Sequence, residues 1–192
     1  MNAPRLILAS MSPRRSALLE QIGVAHRVSA PHIDERVLPG EAPRAHVLRL
    51  AREKALTVAR TAAGVPVLAA DTIVVIDGLI LGKPADLAAG VAMLRRLGGR
   101  THEVLTAVAL VSGGEPATRL SVSEVRMRAV SEAECRAYWH TGEPLDKAGG
   151  YAVQGRGAVF IESIRGSYSG IMGLPLYETA ELLAAAGLPV LQ

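Results

Sequence analysis

Val67 to Ile76 reads Val-Leu-Ala-Ala-Asp-Thr-Ile-Val-Val-Ile, an apolar run broken only at Asp71 and Thr72. A run of that length without polar alternation fits a strand covered on both faces, and such a strand needs helices above and below it. Asp71 stands in the middle of the run, where an ionised carboxylate is costly unless it meets a cation, a metal or a cleft. The plainer alternative is an aspartate that caps a helix or bonds to backbone. Asp77-Gly78 then gives the two-residue signal of a hairpin returning along Leu79 to Leu81. The turn delivers Gly82-Lys83-Pro84. That Gly-Lys is no P-loop, because the earlier glycine and the Ser or Thr after the lysine are missing. Lys83 is therefore a separate cation, which the hairpin is expected to bring near Asp71.

Leu6 to Ala9 is a shorter apolar run of the same kind, and it leads directly into a helix start. Ser12 offers a capping side chain and Pro13 suits the first helical position, while Leu18, Leu19 and Ile22 form an apolar side before Gly23 ends the helix. Arg14 and Arg15 sit in the first turn, beside the positive end of the helix dipole. Two guanidinium groups there suit a phosphate; as merely solvated residues they would be at the unfavourable end.

Between these segments, His26 to Ala30 reads as a strand and Pro31 to Arg36 as a loop. Asp34 and Glu35 in that loop are either paired functional carboxylates or turn residues. Pro43 opens a helix through Ala63, with Val47, Leu50, Ala51, Val58 and Ala62 on one side. Lys54 interrupts that side, whereas Arg49, Arg52 and Glu53 project away from it. An inward lysine either snorkels or meets an anion.

Asp86 is expected to cap a helix from Leu87 to Leu97, closed by Gly98-Gly99. Thr101 to Ser112 and Ala117 to Val130 are strand candidates about a turn at Gly113-Gly114. The second sets Leu120, Val122, Val125 and Met127 against Arg119, Ser121, Glu124, Arg126 and Arg128, with a slip near Ser123 and Glu124 that marks a bulge. Ser131 and Glu134 form a capping box for a helix through His140. Asp146 to Gly157 is a second glycine-rich loop, polar and mobile in composition, expected to line a cleft. Ala158 to Ile164 reads as a further strand, and Pro175 begins a final helix that ends at Gly187. The whole predicts an α/β sheet with an appended antiparallel portion.

At 192 residues the chain supports one substantial core. Hydrophobic residues make up 49% of it, yet no apolar stretch approaches bilayer length and the first twenty residues lack a signal-peptide core, so a cytoplasmic protein without membrane association is expected. Cys135 is the only cysteine, which excludes an internal disulfide or a cysteine zinc cluster and leaves helix packing as its expected role. A net charge of +3 with one Phe, one Trp and four Tyr argues against a single-strand nucleic-acid binder and suits a small polyanionic substrate.

Four pieces of the chain resemble the Maf family in sequence and order. They are Leu8-Ala9-Ser10-Met11-Ser12-Pro13-Arg14-Arg15, Ala51-Arg52-Glu53-Lys54-Ala55, Ala70-Asp71-Thr72 with Gly82-Lys83-Pro84, and Asp146-Lys147-Ala148-Gly149-Gly150-Tyr151-Ala152-Val153-Gln154-Gly155. Gly173-Leu174-Pro175-Leu176 closes the match, which covers nearly the whole chain. Maf proteins are nucleoside triphosphate pyrophosphatases first described as inhibitors of septum formation. The resemblance implies attack by water between the α and β phosphates, releasing a nucleoside monophosphate and pyrophosphate. It implies a single domain over residues 1–192 with a Maf/ITPase-like fold, a mixed twisted sheet with flanking helices and a cleft between two lobes, acting as a homodimer.

Carried over residue by residue, the resemblance makes Asp71 the catalytic proton acceptor and Ser10, Arg15, Lys54 and Lys83 the phosphate-binding set. Glu35 becomes the acidic metal-site residue, working with Asp71 around a divalent cation, Mg²⁺ or Mn²⁺. Arg14, Thr72 and Gln154 agree with the branch resembling dTTP and UTP pyrophosphatases. The sister branch acting on 7-methyl-GTP has an aromatic residue at the first of these positions and an acidic one at the last. A neutral pyrimidine edge offers donors and acceptors to an amide, whereas a cationic methylated purine asks for stacking and negative charge. Other readings are a pyrophosphatase for noncanonical purines and a regulator that binds nucleotide or nucleic acid without hydrolysis.

Overall fold

The computed structural model describes residues 5–191. β1 (Ile7–Ala9) pairs parallel with both β2 (Arg27–Ser29) and β3 (Val67–Ile76), and β4 (Leu79–Leu81) returns antiparallel on β3. β5 (Thr101–Val111), β6 (Ala117–Met127) and β7 (Ile161–Arg165) complete a seven-stranded mixed sheet of order β2-β1-β3-β5-β6-β7. The helices are α1 (Pro13–Gln21), α2 (Pro43–Ala59), α3 (Leu87–Leu97), α4 (Glu132–Trp139), α5 (Tyr168–Met172) and α6 (Leu176–Ala185). The chain divides into two compact units. One holds the chain up to Asp71, Thr106–Ser121 and the chain from Gly173; the other holds Thr72–Leu105 and Val122–Met172.

The apolar run behaves as its composition demands. Val67, Leu68, Ala69 and Ala70 are fully buried, and the two-residue turn after Ile76 takes left-handed conformations at Asp77 (φ 54°) and Gly78 (φ 73°). In the first unit, Leu8, Leu19, Leu50, Leu68 and Leu183 are at most 2% exposed, each contributing roughly 2 kcal/mol of burial. In the second unit, Leu94 and Leu97 of α3, Cys135 and Tyr138 of α4, and Val125 and Met127 of β6 join Tyr151 and Phe160 in one apolar cluster. Cys135 thus has the packing role expected of it. Asp86 caps α3 by accepting from the Ala89 N–H, and the Ser131–Glu134 capping box starts α4.

Several local expectations are corrected. Ser12 is the N-cap residue of α1, but its side chain makes no cap bond; Ser10 Oγ takes the Ser12 N–H instead. α2 ends at Ala59 rather than Ala63, because the chain must turn into β3 and does so with Ala63 (φ 50°) and Gly64 (φ 81°) in left-handed conformations. Burial along β6 alternates without a slip: Ser121, Ser123, Val125 and Met127 face inward, so two small hydroxyl residues hold core positions that hydrophobicity alone had hidden. The irregularity falls instead between Arg126 and Met127, in the pairing with β7.

The second glycine-rich loop, polar in composition, is folded and partly buried rather than open. It folds as short 3-10 turns at Glu143–Asp146, Ala148–Gly150 and Arg156–Phe160, and Tyr151, Ala152 and Val153 are buried. Gly149 (φ 71°) lies against Val74, where a Cβ would come to 3.1 Å of that side chain. The expected strand from Ala158 begins only at Ile161, because the third turn occupies the preceding residues. α5 was not foreseen; five residues carry too little periodicity to declare a helix. Among the described residues no helix is long and apolar enough to cross a membrane.

Candidate active site

The turn from β1 into α1 is built around Ser10, which is buried. Its Oγ accepts from the Ser12 N–H at 3.1 Å and from Arg15 Nη1 at 3.2 Å. Arg15 Nε also donates to the Gly173 carbonyl at 2.7 Å, so the guanidinium is held from two sides. Burial pushes the Arg15 pKa below its ordinary value and Arg14 adds to that, while the charges of Asp71 and Glu35 pull it back. A guanidinium remains a cation through such a shift, so Arg15 is a fixed positive charge that is poorly served by water.

Lys54 answers the question its position raised. On the inward face of α2 it meets anions: Nζ donates to Asp71 Oδ1 at 2.7 Å and lies 2.7 Å from Glu35 Oε1. The side chains of Lys54 and Asp71 are 7% and 9% exposed, that of Glu35 56%, so the site runs from a buried pair outward to an accessible carboxylate. The cost of an ionised carboxylate in the central strand is thereby met by an ammonium at hydrogen-bond distance.

The loop that brings Glu35 there divides its two acids. Asp34 is the turn residue: it accepts from the Arg36 N–H at 3.0 Å and from the Arg36 guanidinium, which holds its carboxyl down at about 2. Glu35 is the one that reaches Lys54. Arg49 was expected to project away from the core, yet it is bound rather than solvated. Its Nη2 donates to the Arg36 carbonyl at 3.0 Å, and its Nε donates to Glu41 Oε1 at 2.6 Å. Glu41 also accepts from the Leu38 N–H and bonds buried His46 at 2.9 Å. The Arg49 hydrogen bonds hold the Glu41 carboxyl well below the usual carboxylate range, despite the upward push of burial. This Glu41–His46–Arg49 knot staples the Glu35 loop to α2. No local pattern announces it, since Glu41 and Arg49 are eight residues apart and owe their meeting to the loop's path.

Ser10, Arg15, Glu35, Lys54 and Asp71 therefore converge in the first unit, with Arg14 close enough in charge to depress Arg15. Thr72 follows Asp71 on β3 and opens the second unit, where Lys83 and Gln154 are both exposed. Among the described residues no three of His, Cys, Asp and Glu gather as a metal cluster. Two carboxylates do end on one ammonium, which places their oxygens no farther apart than two 2.7 Å bonds laid end to end. Two hard oxygen donors of that kind fit Mg²⁺ or Mn²⁺, which take one or two carboxylates and fill the remaining positions with water and substrate phosphate.

A family model described as "Maf-like protein" matches residues 5–186. The chain belongs to the Maf family. Relatives of this Maf chain include a protein of Alkalilimnicola ehrlichii named dTTP/UTP pyrophosphatase, 53% identical over 94% of this chain and 92% of its own. Proteins of the same name from Saccharophagus degradans and Anaeromyxobacter dehalogenans are 50% and 52% identical, over 100% and 98% of this Maf chain and 93% and 97% of theirs. Among solved structures, the Staphylococcus aureus Ham1 protein aligns with a TM-score of 0.42 and 14% identity, over 64% of this Maf chain and 71% of that one.

Proposed function

We propose that this Maf chain hydrolyses dTTP and UTP to the nucleoside monophosphate and pyrophosphate. The observation that carries the reading is Lys54, a buried ammonium joining Asp71 and Glu35 in the same unit as the held guanidinium of Arg15. Cations and carboxylates in one corner suit a reaction in which a polyanion must be neutralised while water is positioned against phosphorus. Relatives named dTTP/UTP pyrophosphatase at 50–53% identity over nearly the whole chain support the substrate class.

In this reading Ser10, Arg15, Lys54 and Lys83 bind the phosphates. The water oxygen bonds to the α phosphorus, the bridge to the β phosphate breaks with its electrons going to pyrophosphate, and Asp71 receives the proton of the water. Arg14, Thr72 and Gln154 select the pyrimidine. Glu35 and Asp71 would hold a divalent cation, which supplies charge neutralisation at the phosphates. The single, buried Cys135 supports a reducing compartment, in keeping with a house-cleaning enzyme of the cytoplasm. A homodimer and a link to the arrest of septum formation are the family's further implications.

The test is release of pyrophosphate and nucleoside monophosphate from dTTP, UTP, CTP, GTP, ITP and 7-methyl-GTP with Mg²⁺ or Mn²⁺, for the wild type and Asp71→Asn. dTTP and UTP should lead and the variant should be inactive. A lead for 7-methyl-GTP or ITP would move the chain to another branch, and no turnover with either metal would refute hydrolysis.

A further inference from the structure

The Ala152–Gly157 segment, which carries Gln154 at its middle, is held by two side chains from earlier in the chain. Glu143 Oε1 accepts from the Tyr138 hydroxyl at 2.5 Å and from the Gly157 N–H at 3.0 Å, and Oε2 accepts from the Arg156 N–H at 2.9 Å. The Tyr138 hydroxyl in turn accepts from the Ala152 N–H at 3.1 Å. Three backbone amides that bracket Gln154 thus end on one Tyr–Glu pair. Lys147 closes the other side of Glu143 by donating to its backbone carbonyl at 3.1 Å.

The fit leaves no room for a side chain at either glycine. A Cβ on Gly155 would lie 2.3 Å from the Glu143 carboxylate, and one on Gly157 would lie 2.7 Å from the Tyr138 hydroxyl and 2.8 Å from the Ala152 carbonyl. Tyr138 is itself fixed, 4% exposed and edge-on to Phe160 at 5.2 Å between ring centroids. Val153 is buried while Gln154 is exposed, so the segment is anchored at both ends and presents one polar side chain between the anchors. Hydrogen bonds to a carboxylate are the stronger class, and Glu143 spends both of its oxygens on this segment.

We propose that Tyr138 and Glu143 are specificity-positioning residues that fix where Gln154 presents its amide to the base of the nucleotide. The proposal rests on the pyrimidine pyrophosphatase reading, in which Gln154 selects the base. A glutamine side chain discriminates between bases only if its donor and acceptor stand at fixed positions, because a swinging amide satisfies every edge equally. The pair touches no reacting atom; it converts a flexible glycine-rich sequence into a rigid support.

The experiment compares kcat and KM for dTTP, UTP, GTP and ITP in the wild type, Gln154→Ala, Tyr138→Phe, Glu143→Gln and the Tyr138→Phe/Gln154→Ala double variant, all full length. Tyr138→Phe keeps the ring against Phe160 and removes only the hydroxyl, so it reads the clamp even where Glu143→Gln folds poorly. The pyrimidine-over-purine ratio of kcat/KM should fall about tenfold in the clamp variants, the order of one lost bond to a charged group. KM for dTTP should rise more than kcat falls, and the double variant should discriminate no worse than Gln154→Ala alone. A loss shared equally by all four nucleotides, with the ratio intact, overturns the proposal and leaves the pair a merely structural tie. If Gln154→Ala itself leaves the ratio unchanged, the base-reading role of Gln154 is wrong and the proposal falls with it, a result distinct from failure of the clamp alone.

Discussion

Replacing Lys54 by methionine should destabilise the protein more than any other single change in the site, and the reason can be worked from two distances. Lys54 Nζ lies 2.7 Å from oxygens of both Asp71 and Glu35. At that separation a unit charge pair gains about 6 kcal/mol at an effective dielectric constant of about 20, set against several kcal/mol of desolvation for each buried ion. The net worth of the pair is small, but removing one partner leaves the other buried without its counter-charge, at a cost of about 3–5 kcal/mol. Here the loss also leaves two carboxylates facing each other. Asp71→Asn should cost less, about 1–2 kcal/mol, because Lys54 keeps Glu35. The double variant Lys54→Met/Asp71→Asn should be about 2 kcal/mol more stable than the sum of the two predicts, since each change removes the reason the other was harmful. Urea melts with a shared m-value measure all four proteins, and for a chain of this size the Lys54→Met deficit corresponds to a melting temperature lowered by about 10 °C. Additivity within about 0.5 kcal/mol, or a Lys54→Met cost under about 1 kcal/mol, would refute the claim that this ion pair is desolvated and mutually dependent.

Burial drops the His102 imidazole to about 4, with Nε2 bonded to the Tyr151 hydroxyl at 2.7 Å and Nδ1 without a partner among the described residues. The unfolded chain takes up a proton near pH 6.5 and the folded one only near 4, so its contribution is intact above pH 6.5 and is lost as the pH falls to 4, by roughly 3 kcal/mol. Urea melts at intervals across that window should show a flatter profile for His102→Gln than for the wild type. Gly90→Ala puts a Cβ 2.4 Å from the Trp139 ring, and calorimetry should find it about 1–3 kcal/mol less stable. Ser131→Ala removes the side-chain half of the α4 capping box and should cost about 1 kcal/mol in the same assay, with turnover at 25 °C unchanged.

The parts of the fold written in short-range physics were legible from the residues alone. The apolar run at Val67–Ile76, the Asp77-Gly78 turn, the Asp86 cap and the Ser131–Glu134 box each declare themselves within a few residues, and each stands where expected. Lys54 was legible too, as a charge on the wrong face of an amphipathic helix. What escaped was long-range or small. Ser121 and Ser123 occupy core positions that a hydrophobicity pattern assigns to solvent, because a serine that faces inward looks the same in sequence as one that does not. Ser123 Oγ accepts from the Ser167 N–H at 2.9 Å, a partner 44 residues away. The glycine-rich loop was misjudged for a related reason. Its glycines looked like freedom, whereas at Gly155 and Gly157 another group approaches too closely for a side chain and Gly149 holds a left-handed φ against Val74. The Glu41–His46–Arg49 knot and the Tyr138–Glu143 pair likewise form only once the loops have taken their course.

The strand order also bears on how the sheet resists edge-to-edge association. A sheet that does not close on itself ends in two rows of unpaired amides, and those rows are templates for other chains. Here the ends of the main path are β2 and β7, while β4, off that path and paired with β3, adds a further edge of three residues. β2 is only three residues long and begins with Arg27, too short a rail for a foreign strand to follow. β7 is longer, but Arg165 pairs with Glu124 and Glu162 with Arg126 of the neighbouring strand, so charge is concentrated where backbone is exposed. A strand arriving to extend the sheet at β7 would have to dock against those ions, and at β2 or β4 it would find a rail of only three residues, so open-ended growth into fibres is disfavoured at these margins.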